Sequence, residues 1–283
     1  MLALLLTACA EGGDPGTTPA PVPETAAEPE TAALPEAEDA VVLQIAQTGG
    51  FVTPEVLAGR LPIVSVYGDG RVITQGPVIA IYPGPAWPNV QVQQADRSTL
   101  QELAERALAA GIDETADLGS PPLADVPSTR FTLVTEEGPI TREVHALQEG
   151  VGAGGLTEEQ EAARAELRGL LDELTDLSAT LGGDAAPESY QPAAVAALAR
   201  PWSAPADGTT QPELTWPGPA LPGEPIAPGV TCVTATGEQA RALADAARGA
   251  TTLTPWVGAD GARWSITFRP LLPEESGCAD LTG

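Results

Sequence analysis

Short runs of alternating apolar and polar residues recur along the chain and predict β-strands. In the last of these runs Trp264, Ile266 and Phe268 alternate with polar residues, so one face is expected to be buried and the other wet. Asp-Gly or Glu-Gly pairs supply tight turns between neighbouring runs. The predicted strands are 41–45, 61–67 with 71–74, 90–93, 130–135 with 140–147, 230–234, and 251–257 with 262–268.

Apolar residues at helical spacing predict helices at 99–109, 158–181 and 238–247, and a short helix at 192–200. Capping boxes are expected at three helix starts, with the pairs Ser98/Gln101, Thr157/Gln160 and Thr236/Gln239. The longest helix carries a leucine stripe that could dimerise, although packing on its own sheet is favoured. The oligomeric state is left open.

A short apolar run ends in Leu6-Thr7-Ala8-Cys9, which resembles the lipobox of bacterial lipoprotein precursors. The resemblance implies cleavage before Cys9 and a diacylglyceryl group on its sulfur, so that membrane lipid holds the mature chain on the outer face of the cell membrane. An export signal normally starts with positive charge and none precedes Leu2, so we expect translation to start upstream of Met1. The alternative is a buried N-terminal helix with a free thiol.

The chain is expected to be an α+β protein with two subdomains of antiparallel sheet and packed helices, preceded by a disordered tether. No stretch reaches the roughly 18 consecutive apolar residues of a membrane span. The expected segments are a signal segment at 1–8, a lipidated cysteine with an acidic Pro/Ala-rich tether at 9–40, an α+β subdomain at 41–186, a Pro/Gly-rich connection with a short helix at 187–229, and a smaller α+β subdomain with a disulfide at 230–283.

The net charge of −26 disfavours a nucleic-acid partner, because binding a polyphosphate requires basic residues. All 13 basic residues are arginine. The acidity fits solubility in a salty medium or, alternatively, attraction of a cationic ligand. No calcium-loop spacing and no cofactor motif occurs, so neither a metal nor a cofactor is expected.

The three cysteines divide into Cys9 for lipid and a remaining pair, Cys232 and Cys278. An even pair in an oxidising compartment predicts a disulfide. On the chain-entropy model, closing this loop stabilises the fold by about 4 kcal/mol. A redox-active or metal-binding pair is the alternative, but CxxC spacing and neighbouring histidines are missing.

Four of the five tryptophans adjoin a proline, which stiffens the backbone that presents the ring. Trp87, Trp202 and Trp216 are candidates for stacking against sugars or Pro-rich peptides, and Trp87 is expected to be the most exposed. Packing at a core or edge is the alternative. His145, the single histidine, is expected to pair with a carboxylate or water rather than to act as a base.

Several segments from about Gly49 to Cys278 are similar to a recurrent family of uncharacterised lipoproteins of high-GC Gram-positive bacteria. The likeness lies in Gly50-Phe51-Val52, Arg60-Leu61-Pro62, Tyr67-Gly68-Asp69-Gly70, Ile81-Tyr82-Pro83-Gly84-Pro85, Leu253-Thr254-Pro255-Trp256 and Phe268-Arg269-Pro270-Leu271-Leu272-Pro273. The resemblance implies an address at the cell envelope and no particular activity.

The expected function is a membrane-anchored extracytoplasmic binding or envelope-associated module, with a cell-wall glycan or an envelope protein as partner. No catalytic constellation is visible among the residues. One alternative is an envelope hydrolase that uses two carboxylates about 5 to 9.5 Å apart. A structural spacer is the other.

Overall fold

The computed structural model describes residues 32–176 and 186–281, whose strands form two sheets. The strands of the first sheet are β1 (Val41–Gly49), β2 (Val64–Tyr67), β3 (Arg71–Gln75), β4 (Val90–Gln94), β5 (Pro127–Thr135), β6 (Gly138–His145) and β7 (Glu188–Ser189). Their spatial order is β6-β5-β1-β2-β3-β4-β7, and every neighbouring pair is antiparallel.

The second sheet consists of β8 (Ala194–Pro201), β9 (Leu214–Thr215), β10 (Glu224–Ala227), β11 (Val230–Thr236), β12 (Trp256–Val257) and β13 (Arg263–Pro270). Its order is β10-β11-β8-β13-β12-β9, antiparallel except for the parallel pair β9–β12. The described helices are α1 (Pro54–Gly59), α2 (Arg97–Ala109), α3 (Glu158–Thr175) and α4 (Gly237–Arg248), with a 3₁₀ turn at Cys278–Leu281.

The α+β class is as predicted, and the hairpins β2–β3 and β5–β6 form where the sequence places them. The β2–β3 turn illustrates why: Gly70 has a φ of +90°, and a Cβ there would lie 2.1 Å from the Ala95 carbonyl oxygen. Only glycine fits this backbone and this close approach. Both sheets belong to one compact unit, Thr31–Gly283.

One face of the first sheet is covered by α2 and α3. The leucine stripe of α3 lies in this core, through Leu167, Leu170, Leu171 and Leu174, beside Leu100 and Leu103 of α2. This packing agrees with the expectation that the stripe covers its own sheet. The predicted continuation of the helix to residue 181 lies outside the described residues.

The predicted short helix at 192–200 is wrong, because these residues form strand β8 in the middle of the second sheet. Alanine favours helices, which is why the run suggests one. Here Val195, Ala197 and Ala199 face the core under α4, and the alternating residues Ala194, Ala196 and Leu198 face the core under α1. Burial on both faces outweighs local propensity and turns an apolar run into a central strand.

The last residues of the predicted tether are ordered against the fold, which corrects the expected disordered range of 9–40. Leu34 is 2 % exposed and lies in the first core. The guanidinium of Arg97 donates to the carbonyl oxygens of Leu34 and Pro35, at 3.0 and 3.1 Å. The buried leucine and these hydrogen bonds contribute to offsetting the entropy lost on ordering the segment.

Helix capping follows the expectation at one of three sites. Thr157 and Gln160 form the predicted capping box of α3. At α2 the cap is Asp96, whose carboxylate accepts from the Thr99 amide at 2.8 Å, so Ser98 lies inside the helix. Thr236 precedes α4 without a side-chain capping bond.

The segment after β13 fastens the two sheets together. Leu271 packs in a core of the second sheet and its neighbour Leu272 in a core of the first. Arg269 is 2 % exposed and donates to Glu275 at 2.7 Å. Burial lowers the pKa of Arg269 and raises that of Glu275, while the pair's attraction opposes both shifts.

The disulfide predicted between Cys232 and Cys278 is present, with 5.9 Å between the Cα atoms. It ties the end of the C-terminal segment to β11. Among the described residues, no helix is both long enough and apolar enough to cross a membrane.

The anchoring by Leu34 predicts that Leu34→Ala lowers the free energy of unfolding by about 2 to 4 kcal/mol, because it leaves a cavity in the first core. The exposed neighbour Glu36 provides the control, and Glu36→Ala is expected to change stability by less than about 0.5 kcal/mol. Urea denaturation of the two variants measures the difference. Equal stability of both would show that 32–40 does not pack as described.

The cap of α2 predicts a pH dependence. Hydrogen bonds from the Thr99 amide and from Ser98 hold the pKa of Asp96 below its usual range. The ionised form therefore contributes stability above about pH 4, the ordinary aspartate pKa, and this contribution is lost as pH falls through the folded-state value.

We expect Asp96→Ala to lower the urea midpoint at pH 7 and to have little effect near pH 2. Ser98→Ala serves as the control and is expected to lower the midpoint less at pH 7. A pH-independent effect of Asp96→Ala would contradict the assignment of the cap.

Candidate functional site

The loop between β3 and β4, residues 76–89, is fixed to the first sheet at its two ends. The Gly76 amide donates to the Asn89 carbonyl at 2.7 Å, and Asn89 Nδ2 donates to the Pro77 carbonyl at 2.9 Å. A Cβ on Gly76 would lie 2.6 Å from the ends of the Asn89 and Gln91 side chains, so these side chains would have to shift to accept any other residue there. Hydrogen bonds thus join the first residues of this long loop to its last residue.

The same loop is also fixed to the second half of the molecule. The Ala86 amide donates to the Ala250 carbonyl at 3.0 Å, and the Thr252 amide donates to the Gly84 carbonyl at 2.9 Å. The Trp87 ring packs 6.2 Å from the Phe268 ring in the second core. The loop is therefore held by hydrogen bonds and packing at both sheets.

A cleft of about 240 Å³ lies where this loop meets β7 and the end of α4. We call it the Trp87 cleft. Its lining residues are Pro85, Trp87, Pro88, Asn89, Val90, Ser189, Tyr190 and Arg248. The prolines, the indole and Val90 give it apolar walls, and polar groups of Asn89, Ser189, Tyr190 and Arg248 line the same space.

Arg248 is the only charged residue that lines the Trp87 cleft. Its guanidinium carbon lies 5.7 Å from the centre of the Trp87 ring, and Nη1 donates to Asp245 at 2.6 Å. A guanidinium has five N–H donors, so this arginine has donors beyond those of the Asp245 contact. The cleft therefore offers guanidinium donors, whose positive charge is partly compensated by Asp245.

Tyr190 forms the floor on the first-sheet side. Burial raises the pKa of Tyr190 to about 12, so its hydroxyl stays protonated at physiological pH. That hydroxyl donates to the Leu271 carbonyl at 2.9 Å. Tyr190 consequently shapes the wall of the cleft with its ring, while its polar end stabilises the C-terminal segment.

The tip of the loop carries a run of exposed apolar side chains. Val78, Ile79, Ile81 and Tyr82 are 75, 61, 58 and 68 % exposed. The Tyr82 hydroxyl donates to Asp207 at 2.9 Å, which holds one end of the run. This loop tip is apolar, open to solvent and held at its Tyr82 end.

The three candidate tryptophans occupy different environments. Trp87 lines the cleft but is half-buried, less exposed than expected, and Arg248 covers its ring. Trp202 is half-buried at the end of β8, outside the Trp87 cleft. Trp216 is 8 % exposed, packed edge-on against Trp256 and stacked on Phe268. The expectation of an exposed stacking platform is wrong for Trp216, because the second core occupies its ring faces.

Other predicted residues lie away from this cleft. Cys9 is outside the described residues. His145 Nε2 lies 2.9 Å from the Leu123 carbonyl oxygen, so the partner of this ring nitrogen is a backbone group. Within 32–176 and 186–281, no group of three or more His, Cys, Asp or Glu side chains is arranged to hold a metal ion.

Glu274 and Glu275 are neighbouring carboxylates in the C-terminal segment. Glu274 accepts from the Tyr67 hydroxyl at 2.7 Å and from Gln44 at 3.1 Å. Glu275 accepts from Arg269 and from the Leu272 amide, both at 2.7 Å. All four carboxylate oxygens bind groups of the chain itself, so the arrangement stabilises the C-terminal segment.

Sequence reasoning found Trp87 but missed Arg248, Tyr190 and the loop tip. Arg248 reads as an ordinary basic residue in the last turn of a helix. The sequence did contain a signal for the exposed loop tip. Pro77 and Pro83 flank an apolar run in a segment without charge, and prolines at both ends disfavour pairing of this run as a central strand.

Comparison of the chain with protein-family models, with curated proteins and with solved structures gave no match.

Proposed function

We propose that this protein is a lipid-anchored module on the outer face of the cell membrane that binds an envelope component in the Trp87 cleft. Cys9 is the attachment point to membrane lipid. The observation that carries the binding role is the cleft itself, in which Arg248 and Trp87 form one wall. The Cys232–Cys278 disulfide supports an oxidising compartment outside the cytoplasm.

The chemistry of the cleft favours a ligand that joins an acidic group to an apolar or ring surface. A carboxylate would accept from the guanidinium of Arg248 in a charge-assisted hydrogen bond. The indole edge and the prolines at 85 and 88 would contact the apolar part. A cell-wall polymer that carries carboxylates meets both requirements, and it is the ligand class we propose.

The ligand proposal is tested by sedimenting purified insoluble cell wall with the lipid-free full chain, Cys9→Ser. Arg248→Ala is expected to raise the apparent Kd, measured by titrating the cell wall, about tenfold, because one charge-assisted hydrogen bond is lost. Trp202→Leu is the matched control, since this half-buried tryptophan lies outside the cleft, and it should sediment like the parent chain.

Circular dichroism confirms that each variant is folded. Failure of the parent chain to sediment would contradict the cell-wall ligand. Equal sedimentation of the Arg248→Ala chain would place the binding surface elsewhere.

The anchor is tested by mass spectrometry of the mature chain isolated from membranes. We expect the chain to begin at Cys9 with the mass of a diacylglyceryl group, and Cys9→Ser to release the protein from the membrane fraction. An unmodified Cys9 in the mature chain would contradict the proposed location.

A further inference from the structure

The loop tip exposes apolar surface that the fold itself does not use. Its exposed side chains Val78, Ile79, Ile81 and Tyr82 are consecutive except for Ala80, which is also exposed. Single exposed apolar side chains are common on protein surfaces, but a contiguous group marks a surface that contacts something apolar.

Apart from Asp207, which accepts from the Tyr82 hydroxyl, the segments that meet at the loop tip carry little charge compared with the rest of the chain. Segments 76–89 and 249–259 contain no acidic or basic residue, and they contact each other through the hydrogen bonds of Gly84 and Ala86. The chain as a whole carries a net charge of −26. The aliphatic part of the tip, Val78 to Ile81, can therefore approach a lipid surface with little repulsion, because charges farther away than the Debye length of about 8 Å are screened.

We propose that the loop tip inserts into the interfacial layer of a lipid bilayer. Aliphatic side chains of Val78, Ile79 and Ile81 would enter the boundary of the acyl chains, and Tyr82 would lie at headgroup level, where tyrosine is enriched. Insertion is confined to the interface, because an irregular backbone deeper in hydrocarbon would leave its polar groups without partners.

The position of the loop is compatible with contact to the same bilayer that holds the proposed anchor at Cys9, and the inference rests on that proposed function for its setting. Val41, where the chain enters the first sheet, pairs with Tyr67 at one end of β2. Val64, at the other end of β2, pairs with Thr74, and the loop follows directly after β3. The loop and the start of β1 therefore lie at opposite ends of the sheet. The chain between Cys9 and Ala32 has a contour length of about 75 Å. A globular unit of this size is about 45 Å across. The chain between Cys9 and Ala32 is therefore long enough to reach past the folded part, so that the loop can contact the same bilayer as Cys9.

A second copy of the chain is the less favoured occupant of the loop tip. Each copy carries a net charge of −26 as a whole, and a net charge of this size keeps copies of a protein apart at low salt. A bilayer of zwitterionic lipid offers apolar surface without that repulsion. With the tip in the interface, the Trp87 cleft at the base of the same loop would face the envelope at a fixed height above the membrane.

The experiment uses the full chain with Cys9→Ser, so that no acyl chain contributes to binding. Because Cys232 and Cys278 form a disulfide, Ile81→Cys introduces the single free thiol of this chain, to which an environment-sensitive fluorophore is attached. Phosphatidylcholine vesicles are expected to shift its emission to the blue and to increase it at least twofold. The matched control is Val151→Cys, whose parent side chain is 60 % exposed, compared with 58 % for Ile81, and it should not respond.

Vesicle sedimentation supplies the second measurement. Ile79→Ser together with Ile81→Ser is expected to reduce the bound fraction at least tenfold, and Val151→Ser to leave it unchanged. Vesicles rich in phosphatidylglycerol should bind less at low salt than phosphatidylcholine vesicles, and added salt should remove the difference.

The proposal is overturned if the parent chain does not bind vesicles, if the Val151 label responds equally, or if the tip variant binds as well as the parent. Concentration-dependent dimerisation lost in the tip variant, without vesicle binding, would also overturn it in favour of a second copy. Because the chain carries no lipid, these results do not depend on whether Cys9 is modified in cells. An unmodified Cys9 would refute the anchor while leaving vesicle binding measurable.

Discussion

The burial of β8 on both faces is the constraint on which the rest of the structure depends. Its alternating residues fill two cores, one under α4 and the other under α1 and the disulfide. Small side chains at most positions let both layers approach closely: a Cβ on Gly59 of α1 would lie 3.2 Å from Leu198. Because α1 lies in the chain between β1 and β2, this contact joins the second sheet to the first.

The polar contacts between the sheets follow from that packing and explain where the binding cleft lies. After β13 the chain places Leu271 and Leu272 in different cores, and Tyr190 binds the Leu271 carbonyl. The same tyrosine forms the floor of the Trp87 cleft. Burial and the Glu274 carboxylate raise the pKa of Tyr67, which keeps its hydroxyl a donor to that carboxylate. The cleft thus shares Tyr190 with the contacts that join the two sheets.

The candidate site could be predicted from the sequence only in part. Site residues whose interactions are local in sequence could be found, and those that depend on distant parts of the chain could not. Trp87 could be found because the prolines that present it are its neighbours in sequence. Arg248 could not, because its contact with Trp87 joins positions 161 residues apart on a loop and a helix end. Trp216 has the same proline neighbourhood as Trp87 yet packs inside the core. A neighbouring proline therefore indicates that the backbone holding the ring is stiff, but it does not indicate whether the ring lies in a cleft or in the core.

The sequence by itself determined the hairpins, the α3 capping box, the disulfide and the α+β class, because each depends on short-range geometry or on pairing the two cysteines left after Cys9. Tertiary structure alone decided that an alanine-rich run is a central strand, that Leu34 ties residues 32–40 to the first core, and that an apolar loop tip stays exposed. The physical reason is common to all three. Burial is a property of surfaces brought together from distant parts of the chain, and its free energy exceeds the small local propensities that a sequence pattern records.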